Sequence, residues 1–200
     1  AIKEGYTFLQ DVAEVEYEES LYRQKRYMAN VAGVGFDAAV IKRTQQSNAK
    51  GYLGAWGYMW CLVHTFFKHK STGIKLWVDD RLVYNNLLFS IAIGIGKYNG
   101  GGIQQLPEAI ADDGLLDITM IKPLHWWHVI FRIRRLFNGD IYSIGHVLHE
   151  QGKKIRIESS PEMPLEVDGE CLGVTPVEFR VQHREVRVVV NKSFLAKYNR

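Results

Sequence analysis

Leu165-Glu166-Val167-Asp168-Gly169-Glu170-Cys171-Leu172 sets two carboxylates two residues apart inside a strand-like run. In an extended chain successive side chains alternate between faces, so Asp168 and Glu170 would point to one side. Gly169 carries no side chain and leaves room on the opposite side for a close backbone or ligand. The triplet has a second reading, because Asp-Gly between alternating residues is also a hairpin signal whose acids are simply solvated. Both readings make this part of the chain β.

Working outward, the last quarter adds a strand over Lys153–Glu158 and a hairpin of Val177–Val181 with Val186–Val190 closed near His183-Arg184. Further back, Leu115–Ile121 reads as a strand after the acidic corner Asp112-Asp113-Gly114. Ile74, Leu76 and Val78 alternate ahead of a turn at Asp79-Asp80 and a long apolar partner, Leu82–Ile95. The chain opens with a hairpin of Phe8–Tyr17 and Leu21–Val34. Helices are expected after Asp37, which can cap a short one, over Tyr52–Lys70, and over Leu124–Phe137. Strands outnumber helices and follow one another through short turns. That argues against a doubly wound parallel sheet and predicts a mostly β domain, an antiparallel sandwich or barrel carrying two or three helices.

Composition sets the outer bounds. Two hundred residues, 46% hydrophobic, suffice for one substantial core, and a net charge of +3 is too mild to argue for nucleic acid. It stays compatible with an anionic membrane or a phosphorylated ligand. Cys61 and Cys171 lie far apart, so neither a disulfide framework nor a zinc site is signalled, and a reducing cytoplasm is the default expectation. The longest uncharged run, Gly51–Phe67, is shorter than the roughly 20 residues of a spanning helix and reads as a buried or interfacial one. No secretory signal opens the chain, and its start at Ala1 in mid-pattern suggests a piece of a longer protein.

Three stretches hold residues that a core does not need: Asn99–Gly102, Pro107–Asp117 and Asp168–Glu170. A tight acidic loop offers a carboxylate and backbone carbonyls to a hard cation, although an acidic turn is the plainer reading of the second. Together, and with Asn30-Val31-Ala32-Gly33-Val34-Gly35-Phe36-Asp37-Ala38, they resemble the C-terminal domain of the diacylglycerol and sphingosine lipid kinase family. That family carries N-x-x-G-x-G-x-D-A, an Asn with a glycine cluster, P-x-A-x-x-x-DG-x-x-D and DGE, in this order. Its glycine-rich nucleotide loop does not occur here, so the resemblance implies the second domain alone, residues 1–200, binding ATP poorly by itself.

The resemblance implies ATP-dependent phosphorylation of a lipid hydroxyl. Glu170 would be the general base and Asp168 would help to hold a metal facing the phosphates. A structural or regulatory Mg²⁺ would be held by Asp113 and the carbonyls of Ile110 and Leu115. The partners implied are a lipid substrate and a membrane surface, with cytoplasmic, peripheral localisation; a homodimer is compatible. The alternative is a noncatalytic lipid-binding β module. A sugar hydrolase is disfavoured, since acids two apart on one strand do not oppose each other across a substrate bond.

Other polar residues receive plainer readings. His125, His128, Arg132 and Arg135 form a stripe on the 124–137 helix, which is read as packing over a sheet, with an anionic interface the alternative. His146 and His149 share a helical spacing but lack a third ligand and are taken as surface histidines. Cys171 is assigned to packing.

Overall fold

A computed structural model describes residues 5–20, 22–46, 54–125, 135 and 138–194, apart from the side chains of 54–59, 62 and 101. The expected helix over 124–137 lies almost wholly outside the described residues.

The chain opens with β1 (Thr7–Glu19) and β2 (Tyr22–Met28), then β3 (Val31–Gly35), α1 (Phe36–Gln46) and α2 (Gly54–Lys68). There follow β4 (Thr72–Val78), β5 (Arg81–Leu88), β6 (Ser90–Gly94), β7 (Leu116–Ile121) and β8 (Val147–Gly152). The last elements are β9 (Lys154–Ser160), β10 (Pro164–Val167) and β11 (Glu170–Val189). All described pairings are antiparallel, in one sheet of order β5-β4-β9-β11-β10-β3-β6-β7-β8, with β1 on β11 and β2 on β1. The expected mostly β, antiparallel class with few helices is what the chain adopts.

The order of strands explains the curvature. β8 ends one side of the path, yet Lys153 alone joins it to β9, which sits near the other side. Asp79 Oδ1 in the β4–β5 turn accepts the N–H groups of Lys153 and Lys154, both at 2.9 Å, and fastens that junction. The sheet therefore curls around a single core, with Val15, Met28, Leu76, Ile93, Ile118, Ile157 and Phe179 among its buried side chains.

Local patterning accounts for the faces. In β1, Val15 and Tyr17 are buried while Glu14 and Glu16 turn outward to Lys25 and Arg23 of β2. β3 and β6 are buried at every position, as befits strands covered on both sides. Their second face is covered by α1, which packs on β3, β6 and β10, and by a small cluster of Val31, Ala92, Leu106 and Ala109. Phe36 of α1 meets Phe66 of α2 and His69 edge to face, His69 meets Phe89 in the same way, and His69 Nε2 meets the Phe89 carbonyl at 2.9 Å. Among the described residues no helix is long and apolar enough to cross a membrane.

Three expected elements are corrected and one strand is added. The run Leu21–Val34 breaks at Ala29-Asn30, and β3 leaves β2 to pair with β6 and β10. Leu82–Ile95 divides at Phe89 into β5 and β6. Val177–Val190 is no hairpin: β11 runs through it against β1, and the polar His183-Arg184 step marks a bulge opposite Asp11. β8 was not anticipated.

Candidate functional site

Val167 pairs with Glu170, and Asp168 and Gly169 between them have φ of 50° and 83°. Left-handed values at both central residues are those of a type I′ turn. The triplet is therefore a hairpin corner, and the strand alternation that would align its acids does not apply. Asp168 folds back onto the β2–β3 connection, where its Oδ2 accepts the Ala29 N–H at 2.8 Å. Its Oδ1 accepts those of Asn30 and Val31 at 3.0 and 3.2 Å. Three successive backbone donors on one carboxylate make a strong, charge-assisted clamp. With both oxygens engaged by backbone donors, Asp168 fastens this corner. Glu170 is different: its side chain is 60% exposed at the rim and is held by Arg26 Nη2 at 2.6 Å.

Behind the turn lies a polar network that gathers residues of three of the four motif segments. Glu166 is 1% exposed, and its Oε2 accepts the Gly169 N–H at 2.9 Å. Across Gly33 stands Asp37, and a Cβ on that glycine would lie 2.8 Å from Asp37 Cβ and 3.0 Å from Glu166 Oε1. Asp37 sits in the first turn of α1, but its carboxylate accepts from Ser90 Oγ at 3.3 Å and Gln105 Nε2 at 3.0 Å instead of capping the helix. Asn99 Nδ2 donates to Gln105 Oε1 at 3.0 Å and Asn99 Oδ1 accepts the Gly100 N–H, so the glycine cluster is tied to the same chain of bonds. Burial pushes the Glu166 carboxyl up to about 7, with the charges of Asp37 and Asp168 adding to it, and pushes Asp37 up to about 6.

The acidic loop lies on the same rim. Gln10 Nε2 donates to the Ala29 carbonyl at 2.6 Å, and the next residue, Asp11, carries the loop. The Asp11 N–H donates to Ala111 O at 2.8 Å, and its fully buried carboxylate accepts Gly114 N–H at 2.7 Å, His183 Nδ1–H at 2.9 Å and Arg184 N–H at 2.7 Å. Arg184 in turn holds Asp112 at 3.0 Å. Asp113 Oδ1 accepts the Leu115 N–H at 2.9 Å, and burial together with Asp117, Asp11 and Asp112 raises the Asp113 carboxyl above its ordinary range. Asp117 is buried, and its Oδ2 has no hydrogen-bond partner among the described residues. An all-oxygen donor set of Asp113 with the Ile110 and Leu115 carbonyls, in a field of excess negative charge, fits a hard cation.

His149 stands apart from its expected surface role. It lies on β8, stacks on Tyr142 at 4.5 Å and meets the buried Asp117 Oδ1 at 3.0 Å. Gln151 donates to the same oxygen at 3.1 Å. No group of three His, Cys, Asp or Glu among the described residues is placed to hold a metal. Cys171 packs against α1, its thiol 3.7 Å from the Ala38 carbonyl. Asp11, Arg26, Gln105 and Glu166 were not singled out in the sequence, since none falls in a recognisable spacing.

Residues 30–190 match the family described as the YegS C-terminal NAD kinase beta sandwich-like domain. A probable lipid kinase YegS-like of Pseudomonas putida is 28% identical over 159 residues, covering 76% of this chain and 49% of that protein. A diacylglycerol kinase of Bacillus subtilis is 22% identical over 167 residues, covering 84% and 54%. The chain thus spans about half the length of these curated relatives. A putative diacylglycerol kinase of Bacillus anthracis superposes with a TM-score of 0.70 at 22% identity over 96% of this chain and 60% of that one, which establishes the likeness of fold. The match over residues 30–190, on a curled antiparallel sheet that gathers all four motifs, shows that this chain belongs to the C-terminal domain family of the YegS-like and diacylglycerol lipid kinases.

Proposed function

We propose that this chain supplies the acceptor side of a lipid kinase, transferring the γ-phosphoryl group of Mg-ATP to a lipid hydroxyl, with a separate nucleotide-binding domain completing the enzyme. The observation that carries the reading is the division of labour at the turn: Asp168 is spent on three backbone N–H groups, while Glu170 stands exposed at the rim. Glu170 takes the proton of the hydroxyl as its oxygen attacks the γ-phosphorus and ADP leaves with the bridging oxygen, and Arg26 orients the carboxylate until the alcohol arrives. Phosphoryl transfer is mostly positioning and charge stabilisation, which suits a base mounted on a doubly clamped corner. The loop of Asp113, Ile110 and Leu115 would hold Mg²⁺, which supplies positive charge that relieves the crowding of Asp11, Asp112 and Asp117 and stiffens the rim.

A lipid substrate implies a membrane surface. Trp60, Val63 and Phe67 of α2 are exposed at i, i+3 and i+7, with Lys68 and Lys70 beside them, an apolar stripe with basic flanks that supports peripheral attachment. The test joins this chain to its nucleotide-binding domain and measures ATP-dependent phosphorylation of diacylglycerol and sphingoid lipids. Glu170→Gln is expected to lower turnover by about 10²- to 10⁴-fold with an unchanged melting temperature. Undiminished turnover rejects the base; intact lipid binding with no phosphorylation in either protein favours a noncatalytic lipid-binding module.

A further inference from the structure

Glu166 lies outside every motif that carries the family resemblance, yet it is the most deeply buried acid at the turn. A buried carboxylate is costly unless paired, and Glu166 has no salt bridge among the described residues. Its nearest charged neighbours across the packing are acids, Asp37 on α1 and Asp168 on the turn, so electrostatics oppose its placement. A neutral side chain of similar volume would serve packing better. What the acid provides is one directed bond, Oε2 accepting the Gly169 N–H at 2.9 Å.

That bond completes the control of the corner. The Asp168 N–H donates to the Val31 carbonyl at 2.9 Å and its carboxylate is fixed by Ala29, Asn30 and Val31. The Gly169 peptide has no side chain of its own to hold it, and a glycine at φ 83° is free to swing. Beyond the Val167–Glu170 pairing that closes the turn, Glu166 is the group that holds it. The next residue is Glu170, whose Cα direction is set by the orientation of that peptide, and Arg26 then has only the side chain to align.

We infer that Glu166 is a positioning residue for phosphoryl transfer, holding the Gly169 peptide so that the Glu170 carboxylate meets the acceptor hydroxyl. This rests on Glu170 being the base, and the experiment separates the two. In the complete kinase, Glu166→Leu removes the acceptor, Glu166→Asp keeps the charge but shortens its reach by one methylene, and Glu166→Gln keeps a carbonyl oxygen for Gly169. The first two are expected to lower kcat by about 10²-fold, the scale of an ångström of misplacement, with the KM for ATP unchanged. Glu166→Gln is expected to restore most of it. On a Glu170→Gln background, Glu166→Leu should cause no further loss, because the residue acts through Glu170; an additional drop of the same size would overturn the inference. Wild-type kcat in Glu166→Leu while Glu170→Gln is inactive overturns the positioning role alone, whereas an active Glu170→Gln overturns both. If Glu166→Leu does not fold, as read by thermal melting, Glu166→Asp decides in its place.

Discussion

Asp11→Ala tests how the acidic loop is held. Asp11 is fully buried opposite the β11 bulge, at a position with no paired residue in the β1–β11 ladder, so its removal leaves the strand ladder intact. Three donors lose their acceptor. The Gly114 N–H is buried and loses its acceptor, which costs about 1–3 kcal/mol. The Arg184 N–H is partly covered and adds about 1 kcal/mol, while His183, 51% exposed, turns to solvent at little cost. The sum is about 3 kcal/mol, near the lower end of the range for breaking a buried charged pair. In a domain of this size each kcal/mol moves the midpoint by about 2–4 °C, so melting should fall by about 6–12 °C. Asp11→Asn keeps one acceptor and should lose about half as much. Urea unfolding gives the free energies, and amide exchange at 111–115 gives the location, since these amides should lose protection before the strands do. A change under about 0.5 kcal/mol in Asp11→Ala would refute the reasoning, as a surface substitution does no more.

The raised carboxyls of Glu166 and Asp37 keep protons in the folded state that the unfolded chain releases, so stability should fall as pH rises from about 4 to 7. Glu166, displaced from 4.5 to about 7, contributes up to about 3 kcal/mol of that fall, and Glu166→Gln should remove its share; an equal stability gap between variant and wild type at pH 5 and pH 8 contradicts this. Gly33→Ala drives a methyl between Asp37 and Glu166 and should cost about 1–3 kcal/mol in a urea melt, with no loss if the two acids can part. Asp168→Ala frees three N–H groups and puts a residue less suited than aspartate to the left-handed region at φ 50°, for about 2 kcal/mol, whereas Asp168→Asn, tolerant of that backbone, should recover part of it; equal melts for the two would show that the side-chain clamp contributes nothing.

Short-range periodicity made much of this fold legible. The alternation of Ile74, Leu76 and Val78, the Asp79-Asp80 turn and the strands β7 and β9 all follow from side chains that face one core. What was illegible depends on distant partners. β8 carries Glu, Gln and His, is half-buried along most of its length, and is recruited by the edge of β7 and by Asp117, so no alternation marks it. His183-Arg184 looks like a turn because it is polar, but its polarity answers to Asp11, more than 170 residues away. The Ala29-Asn30 break has the same origin, for its N–H groups are satisfied by Asp168 from the other end of the chain.

The site was half legible for a related reason. A lone acid between apolar residues, as in Leu165-Glu166-Val167, reads as the solvent side of an alternating strand. Leu165 and Val167 do face the core, and Glu166 does face the opposite side. That side is not solvent, because α1 lies across β10 and β3 and brings Asp37 with it. The acids in recognisable spacings, Asp168 and Glu170, stand at the surface, where local sequence decides their setting. The acids that hold the corner and the loop in place, Glu166 and Asp11, are buried by elements contributed from elsewhere. A turn built to aim one carboxylate needs both kinds, since a base on an unrestrained glycine corner would sample many directions and meet its hydroxyl in few of them.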